Sequence, residues 1–114
     1  MTVDDVINIV RKKLSDTNPG QNRWTNVFLF KYLSETLFVT YKKRPDLFLV
    51  ADVVTPPTAV TALTDEIGVD NELDDYAHTL ADHTCYLALM EDNSDNANIT
   101  QAESFKKMYM ERLG

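Results

Sequence analysis

"NRWTNVFLFKYLSE", residues 22–35, decides how the rest of the chain is read. A surface helix keeps its apolar residues on one stripe, about a third of its circumference. Here Val27 to Phe30 are consecutive apolar residues and point in nearly every direction. Thr25 is a natural N-cap for a helix opening at Asn26. Trp24 and Leu29 have the spacing of a hydrophobic staple. Arg44-Pro45 closes the helix, because a residue before proline is pushed out of the helical region. On a wheel turning about 100° per residue, Leu29, Phe30, Leu33, Leu37 and Tyr41 form one stripe. Phe28, Tyr32 and Val39 fall nearly opposite, with Glu35 among them. The first stripe is expected to face the core. The second is expected to be covered by the following segment or by another subunit, since a bare aromatic patch usually marks a contact.

Outward from this helix the pattern changes twice. On the N-terminal side Val3, Val6, Ile7, Val10 and Leu14 predict an amphipathic helix over about 3–15, with Thr2 as cap and Asp5 at the capping-box position. Asp16-Thr17-Asn18-Pro19-Gly20 breaks it. On the C-terminal side residues 46–69 lose the helical period and are rich in Val, Thr and Leu. Two short strands are expected there, about 47–54 and 59–63, around Thr55-Pro56-Pro57-Thr58. A helix over about 71–91 follows, capped by Asp70, with Leu73, Tyr76, Ala77, Leu80, Thr84, Leu87 and Ala88 at core spacing. A last helix is expected over about 95–113, with Ile99, Ala102, Phe105, Tyr109 and Leu113 inward. The predicted fold is a single, mainly α domain, 1–114. It is four-helix bundle-like, with one extended or β-hairpin excursion between the second and third helices.

The composition bounds the chemistry. The chain has 114 residues, a formal net charge of −7 and a pI near 4.6. A gripping nucleic-acid binder needs a basic stripe. The basic clusters Arg11-Lys12-Lys13, Lys42-Lys43-Arg44 and Lys106-Lys107 sit near predicted helix ends, where cations offset the dipole. The lone Cys85 lies in an apolar helical pattern and reads as a small buried hydrophobe. Met1 to Asp5 is acidic, without the basic start of a secretory signal, and no apolar run reaches the ~18 residues of a membrane span. A soluble protein of the reducing cytoplasm is expected.

Few groups suggest chemistry. His78 is four residues from both Asp74 and Asp82, a spacing open to a metal pair or a general base, but also to a solvated face of helix-stabilising pairs. His83 stands one residue off that face. The acids around Asp65 to Asp75 suit a helix N-terminus. "DNSDNANITQAE", residues 92–103, puts Asp92, Ser94, Asn96 and Glu103 at calcium-loop positions. Ala97 occupies the place of the turn glycine, and the pattern occurs once. The plainer reading is a helix capped at Ser94 or Asp95 and begun before Asn98.

The order of parts carries more than any motif: a short helix, Arg23-Trp24-Thr25 opening a long helix, Arg44-Pro45-Asp46 closing it, an extended segment, then Tyr76 to Asn98 as helix and turn before a last aromatic helix. This order resembles the head-to-tail adaptor (connector) proteins of tailed bacteriophages. The resemblance implies a structural protein without catalysis, metal or cofactor. Such adaptors form a ring of about twelve copies beneath the portal, in the virion neck, assembled in the host bacterial cytoplasm. The ring extends the DNA channel, docks tail or nozzle proteins, and lets genomic DNA pass without specific binding. The expected subunit contact comprises Phe28, Tyr32, Val39 and Phe48. The expected portal contact comprises Phe105, Lys106, Met108, Tyr109 and Arg112, on a methionine-rich, partly basic surface suited to adapting to a partner. An acidic lumen suits sliding DNA. The alternative reading is a monomeric helical binding module, with one degenerate calcium-binding loop at 92–103.

Overall fold

The computed structural model describes residues 1–16, 23–68, 71–91 and 96–114. Thr17–Gly20 of the breaker, the Asp70 cap, and Asp92, Ser94 and Asp95 lie outside the described residues. The fold is mainly helical: α1 is Val3–Lys13, α2 Asn26–Lys43, α3 Ala77–Glu91 and α4 Asn96–Leu113. Between α2 and α3 come a 3-10 turn at Pro45–Phe48, the antiparallel pair β1 (Leu49–Val50) and β2 (Val53–Val54), and a second 3-10 turn at Glu72–Asp75.

Thr2 closes the predicted capping box with Asp5, so two orphan backbone donors at the start of α1 are satisfied reciprocally. Four apolar residues of α1 (Val3, Val6, Ile7 and Val10) are fully buried. α3 lies at the centre and packs against α1, α2 and α4. Its residues from Thr79 to Cys85 are all buried. A helix covered on several sides has no solvent stripe to keep polar, which explains its weak amphipathicity.

The excursion departs from the expectation. The predicted strand over 47–54 is a 3-10 turn followed by a two-residue-per-strand hairpin, and 59–63 is not a strand. Side chains hold that stretch instead. Ser34 Oγ accepts from Val60 N–H at 2.8 Å, and Asp65 Oδ2 accepts from the N–H groups of Thr61 and Ala62 at 2.9 and 3.0 Å. The N-terminal segment completes the cover, Val3 N–H donating to Asp65 O and Ile67 N–H to Met1 O, both at 2.8 Å. Gly68 has φ +71°, and a Cβ there would stand 2.6 Å from Asp74 N, so only glycine fits.

The predicted helix over 71–91 is broken. Asn71 caps the short turn through its side chain, and Tyr76 separates that turn from α3. Asp74 therefore does not share a helix face with His78 and Asp82.

Candidate interaction surface

The buried arc of α2 contains Tyr32, Thr36, Leu29, Thr40, Leu33 and Leu37, spanning about 140° of the wheel. The predicted stripe is thus turned by about 50°. Two threonines cause this. Each hydroxyl finds a partner on the side of α3 or α4, Thr40 in addition to its bond within α2, and a buried polar group needs one. Thr36 Oγ1 is hydrogen-bonded to His83 Nδ1 at 2.8 Å, with the Thr84 hydroxyl 3.4 Å away. Thr40 Oγ1 donates to Thr36 O and meets the Tyr109 hydroxyl, both at 2.8 Å. The His83 and Tyr109 rings lie against each other tilted by 53°, with 4.5 Å between centroids. Burial, reinforced by Lys106 and Lys43, pushes the imidazole down to about 4, so it is neutral near neutrality. Burial also raises the Tyr109 phenol, partly offset by Thr40.

A second polar knot joins three helices. Asp82 is fully buried, not solvated as its spacing with His78 suggested. Arg112 of α4 donates to its Oδ2 at 3.0 Å, and Lys13 of α1 stands 3.0 Å from Oδ1 as an ion pair without hydrogen-bond alignment. Arg11 likewise donates to Asp16 Oδ2 and Asn26 Oδ1, each at 2.7 Å, and to Trp24 O at 3.1 Å. Trp24 Nε1 in turn donates to Ala88 O at 3.2 Å, making it the anchor its position suggested. Arg44, clamped by Asp46, donates to Leu113 O and satisfies an orphan carbonyl at the end of α4. The Asp46 hydrogen bond raises the guanidinium pKa and the same bond lowers that of the carboxylate. These basic residues hold the tertiary structure as well as helix ends.

The expected contact residues separate accordingly. Phe28 is 53% exposed and Val39 half-buried, but Phe48 is buried in the chain's own core, and Tyr32 is buried there too apart from the edge that lines a hollow at the N-terminal end of α2. Phe48 covers Tyr41 edge-on at 5.3 Å, because the 3-10 turn folds it back onto α2. Of the expected portal residues, Tyr109 is buried by its bond to Thr40, and Arg112 is engaged by Asp82. Phe105 and Met108 are half-buried, and Lys106 is exposed over the Tyr86 ring at 5.4 Å. The helix from Asn96 replaces the open loop that calcium ligation through Asn96 and Glu103 requires, and it begins before Asn98 as expected. Among the described residues no three His, Cys, Asp or Glu side chains are grouped to hold a metal ion. Cys85 is fully buried and its thiol is pushed up to about 12, chiefly by burial.

Among the described residues the exposed large apolar side chains, Met90 and Met110 aside, gather in two places. One is the outer face of α2, where Val27 is 74% exposed, with Phe28 and Phe38 beside Lys31, Glu35 and Lys42. A hollow of about 370 Å³ at its N-terminal end is lined by Arg23, Trp24, Phe28, Tyr32 and Glu91. The other is the hairpin, with Leu49, Val53 and Val54 exposed around the turn Ala51-Asp52, whose φ values are +50° and +65°. Asp46, Asp52, Glu72, Asp74 and Asp75 line the hollow beside it. The outward valines of the hairpin and Val27 and Phe38 were not singled out in the sequence, where nothing separates an outward β-branched or aromatic residue from an inward one. No family model, no curated protein and no solved structure matches the chain.

Proposed function

We propose that this chain is a structural subunit of a tailed-bacteriophage neck, a head-to-tail adaptor that forms a ring beneath the portal. The observation that supports it best is the pair of separate apolar surfaces on one small helical domain, the α2 outer face and the hairpin. Exposed apolar surface of this kind marks contacts. A cyclic ring joins unlike patches head to tail, so each subunit needs two. The resemblance of the element order to the adaptors points the same way. In this reading the ring holds about twelve copies, docks tail or nozzle proteins on one side, and carries DNA through an acidic lumen that does not grip phosphate. The portal side takes the exposed residues of α4, Lys106, Lys107 and Met110. The role is architectural and uses no cofactor.

The test is electron microscopy of the purified protein across a concentration series, alone and with the portal of its genomic neighbourhood. Closed rings of about twelve subunits are expected. A protein that stays monomeric under every condition, and gains helix on calcium addition, belongs to the binding-module reading instead.

A further inference from the structure

We propose that the hairpin of one copy seats in the hollow at the N-terminal end of α2 on the next copy. The inference rests on the ring reading and adds which two surfaces meet.

Position comes first. α2 has 18 residues and is about 27 Å long. The hollow lies at its start, whereas the hairpin follows its end through the first 3-10 turn. Among the described residues no hairpin residue lines the hollow. The two surfaces are therefore distinct, and their pairing is heterologous, the geometry that propagates around a ring.

Shape and chemistry come next. The hairpin presents a convex two-residue turn with Val53 and Val54 exposed behind it. The hollow is concave, with Phe28 forming an exposed wall and Val27 on its outer side. Burying Val53 against Phe28 removes from water two of the three most exposed large apolar side chains among the described residues. The charges are complementary. Asp52 stands at the tip, with Glu72 and Asp75 flanking it, and among the described residues no Lys or Arg lines that hollow. Arg23 lies at the rim of the receiving hollow, its guanidinium 4.9 Å from the Trp24 ring, and Lys31 is exposed one turn along α2 from Val27. Among the described residues Glu91 is the one acid lining the receiving hollow. Opposed potentials of this kind fix register and disfavour the self-pairing of either patch.

The experiment uses two single-cysteine additions, Phe28→Cys and Val53→Cys, each at an exposed site, with Cys85 left in place because it is buried. Circular dichroism checks that each variant is folded, and Val54→Cys serves if Val53→Cys is not. The two proteins are mixed at high concentration under mild oxidation. The expected product is dominated by the Phe28→Cys/Val53→Cys heterodimer. Asp52→Lys in the hairpin chain should reduce it several-fold, and Lys31→Glu in the other chain should restore part of it. Homodimers in equal or greater amount overturn the proposal. Rings seen by electron microscopy without this cross-link place the contact elsewhere and leave the ring reading standing. Neither rings nor cross-link at any concentration defeats both.

Discussion

The interior between α2, α3 and α4 and the outer surface of α2 invert the usual distribution. Thr36, Thr40, Asp82, His83 and Thr84 are buried, while Val27, Phe28 and Phe38 on the same helix as the first two are exposed. The comparison teaches that side-chain polarity alone did not orient α2. The threonines are inside because each finds a hydrogen-bond partner across the helix interface, so burial costs little. The exposed aromatics are outside because the 140° arc available to the core is already filled by Tyr32, Thr36, Leu29, Thr40, Leu33 and Leu37. Their exposure in the single chain is what the contact reading uses.

If the inner polar groups are held by their partners, removing the partners should be the most damaging change. Replacing Lys13 and Arg112 together with methionine leaves the Asp82 carboxylate buried without a cation. A loss of about 3–5 kcal/mol is expected in urea unfolding, enough to unfold a marginal domain. A loss below about 1 kcal/mol would show that water reaches Asp82.

The next effect is a pH dependence. His83 is held down to about 4 in the folded chain, against 6.5 when unfolded. Between these values the unfolded state binds the extra proton, so stability is full above about pH 6.5 and is lost as pH falls toward 4. The loss from this group is roughly 3 kcal/mol by about pH 4. His83→Gln should be less stable near neutrality and lack this part of the acid sensitivity. An unchanged acid slope in that variant would remove His83 from the account.

A smaller effect tests the seam itself. Thr40→Val keeps shape but leaves the Tyr109 hydroxyl buried without its partner, and should cost about 1–3 kcal/mol. Adding Tyr109→Phe to it should recover part of the loss, since both ends of the bond are then gone. Additive losses would mean the two hydroxyls act independently.

Much of this was legible in the residues. The end of α2 follows from Arg44-Pro45 and the start of α1 from the Thr2–Asp5 box, because these signals are local; Thr25 stands at the N-cap position of α2 but its side chain makes no capping hydrogen bond. The core faces of α1 and α4 followed from their periodicity. The rotation of α2 was not legible from apolar periodicity, although Thr36 and Thr40 fall on the wheel between Tyr32 and Leu33. The break at Tyr76 and the side-chain support of residues 59–63 depend on groups distant in sequence, such as Ser34. Asp82 read as solvated because its partners, Lys13 and Arg112, come from the first and last helices. For the candidate surface, Phe28 was found and the hairpin's exposure was not, because outward valines have the same sequence signature as inward ones.

The central claim is that the outer apolar face serves a neighbour and not the fold. Phe28→Asp tests it in a paired measurement: thermal melting of the single chain, and ring assembly by electron microscopy under conditions where the unmodified protein assembles. Phe28 is already half in water, so melting should move by an amount corresponding to less than about 0.5 kcal/mol. Leu33→Ala, as the internal comparison, should cost about 2–5 kcal/mol. Assembly by Phe28→Asp should be abolished, because an unpaired charge is then buried at every interface of the ring. A variant that melts as low as Leu33→Ala, or one that melts normally and still forms rings, would contradict the account.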